Sequence, residues 1–446
     1  MGWRTVGAWC TAAVILLVAV GCAQAGPASA PVTAGAAATA KAAVTGGGTG
    51  GAGGASAPSA ASAPASRPGS PVSRPEPVWF QSLQMTSATS GWALAWSANP
   101  GVTDDNAHIL LARTTDGART WSDVTPAAAR PMLATVYSYE ALDPVDGDRA
   151  YLAVSRSLSG SDSQVSTTAV FVTADGGRTW TESAVFTTSA PAARLSFADA
   201  SHGWLLLSST FSAPGQPVTW LYRTSDGGLH WSPAATVAPP GNYGTNSFCQ
   251  PLNLTLLSAT AGWVTISCRG QAEFLVSQDG GGSWTAQPLP LPASALGPPD
   301  GPAFLTGPQF AGGTGFLTVA PLPPGTPSLL DSQDRGQTWR LLTLPSDAGQ
   351  YPQVTFFTPA DGVLVAAGPQ EALGAVFYLT ADGGQSWTPV PQGTHFTQDG
   401  EAVDFVTPQA GFAWNSGGNT ATAPPLYATA NSGRTWLLVT PHLVTG

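Results

Sequence analysis

Charge is scarce in this 446-residue chain: Asp, Glu, Lys and Arg together make up 9% of it, and the formal net charge is −10. Lysine occurs once, at Lys41. A surface so thinly and acidically charged argues against electrostatic binding to nucleic acid or anionic lipid. Cysteine is as rare, with copies only at 10, 22, 249 and 268, and no Cys/His spacing of the zinc type can be made from them. The chain contains no HExxH, no P-loop and no GxSxG, so no metal or cofactor is expected. The apolar run Ala12–Val20 is too short for a stable membrane span, and a helical period is found nowhere.

What the chain does have is one octapeptide written seven times. Thr173-Ala174-Asp175-Gly176-Gly177-Arg178-Thr179-Trp180 is matched by Thr114–Trp121, Thr224–Trp231, Ser277–Trp284, Ser332–Trp339, Thr380–Trp387 and Thr429–Trp436. The closing tryptophans stand 59, 51, 53, 55, 48 and 49 residues apart, so one supersecondary unit is repeated. The form Ser/Thr-x-Asp-x-Gly-x-Ser/Thr-Trp lies between an apolar run and a second short strand. Asp and Gly there mark a hairpin turn. The carboxylate accepts nearby backbone N–H groups, Gly supplies a positive φ, and Trp buries a large ring on the return strand.

These residues resemble the Asp-box (BNR) repeat of sialidases, some other glycosidases and photosystem II stability/assembly factors. The resemblance covers residues 77 to 440 and implies a seven-bladed, all-β propeller of four-stranded blades, with the box at each third-to-fourth strand turn. Ala118 replaces the box glycine in the first copy, Arg335 sits between Asp and Gly in the fifth, and Asn431 stands for Asp in the seventh. Seven equivalent positions at equivalent turns, six of them carboxylates, cannot all be catalytic. Asp116, Asp175, Asp226, Asp279, Asp334, Asp382 and Asn431 are therefore read as scaffold.

Residues 1–21 read as a secretory signal, with one positive charge at Arg4, a short apolar core and small residues before the break. Val20-Gly21-Cys22 is similar to a bacterial lipobox, which implies lipidation of Cys22 and a position on the outer face of the cytoplasmic membrane. Cleavage after Ala25 is the alternative and would release the protein. Residues 22–76 are almost wholly Ala, Gly, Ser, Pro and Thr, which form no apolar face and read as a disordered tether.

From 77 to 446 the chain reads as the propeller, at 52 residues per blade for the 364 residues from 77 to 440. Gly91-Trp92, Gly203-Trp204, Gly262-Trp263, Gly315-Phe316 and Gly411-Phe412 mark the start of second strands, with Arg149-Ala150-Tyr151 and Gly362-Val363 in their place in blades two and six. The last strand is expected at Leu437–Val439. No extra strand locks the ring, and blades one and seven are expected to meet by face packing. Cys249 lies just before the first strand of blade four and Cys268 at the end of its second, and an exported protein with two such cysteines should pair them.

Chemistry would sit on the face opposite the boxes, built from second-to-third loops and inter-blade loops. The most polar stretches there contain Asp104, Asp105 and His108, then Tyr243 and Asn246, then His395. First strands should line the channel with Tyr137, Tyr139, Glu140, Arg194, Glu401 and Asp404, and Trp96, Trp220 and Tyr243 could stack on sugar or peptide. A sialidase would need three converging arginines. A triad could be drawn from Arg194, Arg223 and Arg269, but nothing in the sequence singles it out. Glu140, Glu401 and Asp404 are the carboxylates from which a glycosidase pair could come. The first reading is a binding or scaffold propeller for an envelope protein or glycan. The second is an exo-acting, sialidase-like glycoside hydrolase.

Overall fold

The computed structural model describes residues 77–97, 108–134, 138–157, 165–188, 192–208, 219–237, 249–268, 271–292, 295, 303–321, 325–349, 352–367, 375–391, 401–415 and 425–444. At 157, 249, 250, 268, 271, 303, 304, 321, 367, 401 and 415 it describes the backbone alone.

The strands form seven antiparallel sheets in a ring, one sheet per octapeptide, and the chain is a seven-bladed β-propeller. The first strands are Trp79–Met85, Ser138–Pro144, Ala192–Phe197, Cys249–Leu256, Ala303–Ala311, Gln353–Phe356 and Glu401–Phe405. First strands of neighbouring blades touch at several junctions, that of blades one and seven among them, and they form the inner wall. Fourth strands such as Thr181–Thr188 and Arg340–Leu342 lie outermost in their sheets.

A single blade has no interior of its own. There are seven clusters of buried side chains, and each straddles two adjacent blades. Alternate residues of a strand face opposite sides, so each blade gives one face to each neighbour. This is why second strands such as Gly203–Ser208 are buried along their whole length.

The glycine that opens the second strand has a packing reason. In register it faces an apolar residue at or next to the end of the first strand: Met85↔Gly91, Phe197↔Gly203, Phe310↔Gly315, Phe356↔Gly362 and Phe405↔Gly411. A Cβ on Gly203 would stand 2.3 Å from the Phe197 ring, and one on Gly91 would stand 2.3 Å from Met85 Sδ. Blade two, whose sequence has Ala150 at this place, pairs it with Pro144, which does not reach across in the same way.

The octapeptide turn repeats atom for atom. In the second copy the Asp175 carboxylate accepts the Thr179 amide at 2.9 Å, the Thr179 hydroxyl at 2.6 Å and the Thr173 hydroxyl at 3.0 Å, while Thr173 Oγ1 accepts the Gly177 amide at 3.0 Å. The seventh copy keeps the geometry with an amide: Asn431 Oδ1 accepts the Thr435 amide, and its Nδ2 donates to the Thr435 hydroxyl that a carboxylate would accept from. His230 is a further departure that the sequence reading passed over. It stands at the hydroxyl position of the third copy, with Nδ1 2.6 Å from Asp226 Oδ2.

Each turn carries two consecutive residues of positive φ. The pairs are Gly117/Ala118, Gly176/Gly177, Gly227/Gly228, Gly280/Gly281, Arg335/Gly336, Gly383/Gly384 and Ser432/Gly433. Ala118, Arg335 and Ser432 are the non-glycine residues with positive φ among the described residues, and the first two are departures already visible in the sequence. The first amide of the pair donates to the first-to-second turn of its own blade, as Gly117 does to Thr89 O and Gly383 to Ala360 O. In blade five that turn is cut to Gly312-Gly313, and there Arg335 stands exposed. The second member presses on the preceding blade: Gly177 on Val124, Gly281 on Leu221, Gly336 on Trp263 and Gly433 on Phe377.

Ring closure corrects the sequence reading. The chain does not end on Leu437–Val439. After Pro441 it adds His442–Val444, which pairs in parallel with the outer strand of blade one, Thr120–Asp123, and makes that sheet five-stranded. The His442 amide donates to Arg119 O at 2.9 Å, and Leu443 is buried in register with Trp121. The expected face packing between blades one and seven is present as well, in a cluster that includes Trp121, Phe412 and Trp414. The closing strand was missed because three residues after a proline carry no period. They pair only because the far end of the chain supplies an edge.

One ion pair in this frame yields a sharp expectation. Arg340 donates to both oxygens of Asp331 across the outer strands of blade five, at 2.6 and 2.7 Å, and Asp331 is 2% exposed. Arg340→Met strands a buried carboxylate and should cost about 3 kcal/mol. Asp331→Leu with Arg340→Met should recover most of that loss, as read in urea unfolding.

Candidate functional site

The inner wall is built from one polar column. Near the end of each first strand stands Gln84, Asp143, Ser196, Thr255, Gln309, Thr355 or Asp404, each followed by an apolar residue or proline. Several of these side chains reach the first strand of a neighbouring blade. Asp404 Oδ2 accepts the Met85 amide, Asp143 Oδ2 the Phe197 amide and Ser196 Oγ the Leu256 amide, at 2.9 to 3.0 Å. Gln309 binds both the amide and the carbonyl of Phe356, and Gln84 Nε2 donates to Leu142 O. Asn253 Nδ2, from the same wall, reaches Leu305 O at 2.8 Å. First strands of different blades do not share a ladder, so these side chains satisfy backbone groups that the sheets leave open.

Asp143 shows what the position costs. Burial pushes its carboxyl up to about 7, against the lowering effect of the Phe197 amide. A carboxyl with a raised folded-state pKa favours folding fully below its unfolded value of about 4, and that contribution is lost as pH rises through 7. Asp143→Asn keeps an acceptor for the Phe197 amide and removes the charge. It is expected to match the wild type at pH 4 and to be more stable by about 2–4 kcal/mol at pH 8. Denaturant unfolding at the two pH values measures this.

The octapeptide carboxylates titrate the opposite way. Asp175, Asp279, Asp334 and Asp382 are held down to about 2, first by the hydroxyls of Thr179, Ser283, Thr338 and Ser386 and then by the same residues' amides. Asp226 is held down to about 2 by the His230 amide first, then by its side chain. Their contribution to stability is present above about pH 4 and is lost as pH falls towards 2.

The candidates named from sequence fall in three groups. Asp104, Asp105, Tyr137, Tyr243, Asn246, Arg269, His395 and Cys22 lie outside the described residues, as do the side chains of Glu401, Cys249 and Cys268. A second group is spent on structure. Arg194 donates to Ala193 O at 2.9 Å and to Leu252 O of the next blade at 3.5 Å. Arg223, on the third strand of the same blade, donates to Gly280 O in the next blade's turn at 3.4 Å. Both are tied to carbonyls, with a strand between them in the sheet, and they do not converge. Asp404 joins blade seven to blade one, and His108 Nδ1 lies 3.1 Å from Ser97 Oγ at the base of its hairpin. Trp96 and Trp220 are half-buried and pack against inter-blade clusters.

Glu140 forms the third group. Its Oε2 accepts Gln81 Nε2 at 3.3 Å, and burial raises its carboxyl above the usual range against hydrogen bonds from Ser138 and Gln81. Glu140 Oε1 is buried without a partner, and so are Gln81 Oε1 and Gln84 Oε1 on the facing strand. Sequence reasoning found Glu140 and, from the polar column, Asp404, but missed both glutamines and the column as a pattern. The signal was present, as a polar residue two places before each first-to-second turn. Among the described residues no three His, Cys, Asp or Glu side chains cluster as metal ligands, and no helix is long and apolar enough to cross a membrane.

No family model matches the chain, and no curated protein does. Solved structures do. A GH74 xyloglucanase from Xanthomonas campestris is 16% identical with a TM-score of 0.50, covering 84% of this chain and 55% of that one. A PL25 ulvan lyase is 10% identical with a TM-score of 0.50, covering 80% of this chain and 94% of that one. YCF48 from Cyanidioschyzon merolae is 18% identical with a TM-score of 0.43, over 68% of this chain and 84% of that one. At such identities the likeness shows the fold alone. The chain shares the architecture of the β-propeller.

Proposed function

We propose that this protein is an exported binding propeller, held at the cell envelope, that presents the loop face opposite the octapeptide turns to a protein or glycan. The observation that carries the reading is the employment of the described charged groups on the inner wall. Asp143, Asp404 and Arg194 each bond to backbone, and among the described residues Arg194 and Arg223 do not converge. A rigid disc with Asp143, Asp404 and Arg194 spent on structure suits binding by variable loops better than turnover. The octapeptides are Asp-boxes in this reading and serve as scaffold.

Lipidation of Cys22, with residues 22–76 as tether, places the disc outside the cytoplasmic membrane; secretion after cleavage is the alternative. Cys249 and Cys268 face each other in register on the first two strands of blade four. A disulfide there suits an exported protein and contributes roughly 3 kcal/mol in the chain-entropy model. Non-reducing peptide mapping of exported protein should recover the two cysteines in one linked peptide.

The function is tested by incubating purified protein with fluorogenic glycosides, a sialoside among them, and in parallel with immobilised glycans and envelope extract. Binding without fluorophore release is expected. Release that disappears in Glu140→Gln or Asp404→Asn would instead establish the exo-glycosidase.

A further inference from the structure

Among the described residues, the buried side-chain polar atoms without a partner are six indole nitrogens, the Thr265 hydroxyl and three oxygens. The three oxygens are Gln81 Oε1, Gln84 Oε1 and Glu140 Oε1, and all sit at one junction, between the first strands of blades one and two. Two ties hold them together. Gln81 Nε2 donates to Glu140 Oε2 and Gln84 Nε2 donates to Leu142 O, so both amides reach across to positions two residues apart on the same strand. Each amide nitrogen engages one N–H in these ties, and the oxygens Gln81 Oε1, Gln84 Oε1 and Glu140 Oε1 receive no hydrogen bond. Gln84 is 7% exposed. The groups acting on Glu140 are Ser138, Gln81 and its own backbone, with no Lys, Arg or His among them.

Three buried oxygens at one junction, one of them belonging to a carboxylate with no Lys, Arg or His acting on it, receive no hydrogen bond and are electrostatically incomplete. We propose that this junction binds one hard metal cation of the calcium or sodium kind, coordinated by Glu140 Oε1 and the amide oxygens of Gln81 and Gln84, with water filling the remaining positions. Oxygen-only ligation by one carboxylate and two carbonyl-type oxygens is the donor set such cations take, and softer metals would want nitrogen or sulfur. The cation would pin blade one to blade two at the inner wall. At the same level of the wall, Asp404 makes the corresponding link between blades seven and one with a direct bond. The octapeptide carboxylates are poor rivals, because their oxygens are already occupied by hydroxyls and amides.

The full chain, stripped with EDTA and exchanged into choline chloride, is titrated with CaCl2 and separately with NaCl. Thermal unfolding and calorimetric binding are followed. The expected result is saturable binding of one ion with a rise in Tm of several degrees, lost at least tenfold in affinity in Glu140→Gln and weakened in Gln84→Leu. Asp382→Asn, on an outer turn, should keep the response. Absence of a Tm shift with either salt, or an equal shift in Glu140→Gln, overturns the site and leaves ordered water at the three oxygens. A variant that fails to fold is replaced by Gln81→Leu, which must also lose the response.

Discussion

Gly336→Ala is expected to destabilise the propeller by about 4 kcal/mol. Two costs add. Gly336 has φ +83°, where a side chain costs about 1–2 kcal/mol. The new Cβ would also stand 2.2 Å from Trp263 Cζ2, and Trp263 is fully buried in blade four, so the ring cannot step aside without opening the four–five interface. Overpacking of that kind costs about 1–3 kcal/mol. The adjacent position gives the contrast. Arg335 has φ +61° but is exposed, and Arg335→Gly should be neutral or stabilising by up to about 1 kcal/mol. Urea unfolding followed by tryptophan fluorescence reads both. A Gly336→Ala loss below 1 kcal/mol would show that the turn does not bear on the preceding blade as described.

Removing residues 442–446 is expected to cost about 3–5 kcal/mol and to broaden thermal unfolding. The deletion takes away the strand paired to Thr120–Asp123, the His442–Arg119 bond and the buried Leu443, and it bares the edge beside Trp121. Leu443→Ala alone should cost about 2–3 kcal/mol as a cavity beside that tryptophan. In a ring each blade is supported on both faces; once the seam between seven and one is weakened, the terminal blades lose cooperation with the rest. A truncated protein that melts at the wild-type temperature in a single transition would mean that face packing alone closes the ring.

The repeat was legible because its chemistry is local. A Thr or Ser hydroxyl, an Asp carboxylate and two positive-φ residues close a turn within eight residues, so seven copies announce seven blades before any contact is known. The departures were legible for the same reason: Ala118 and Arg335 could be named from sequence, and each proves to hold a backbone conformation that favours glycine. The Gly-Trp and Gly-Phe pairs could be read as strand starts, although the rings they make room for, such as Phe197 over Gly203, appear only in the register.

By itself the sequence determined an all-β chain, seven repeats of four strands and the site of each tight turn, because hydrogen bonds over a few residues and alternation along a strand set these. Tertiary structure alone decided which blade each face meets, that Asp143, Asp404 and Gln309 bond to a neighbouring blade's backbone, that Gln81, Gln84 and Glu140 share one junction, and that His442–Val444 closes the ring. Those contacts join residues about fifty to more than three hundred positions apart. Their energies depend on burial and distance in the closed ring, quantities that no local stretch of sequence encodes.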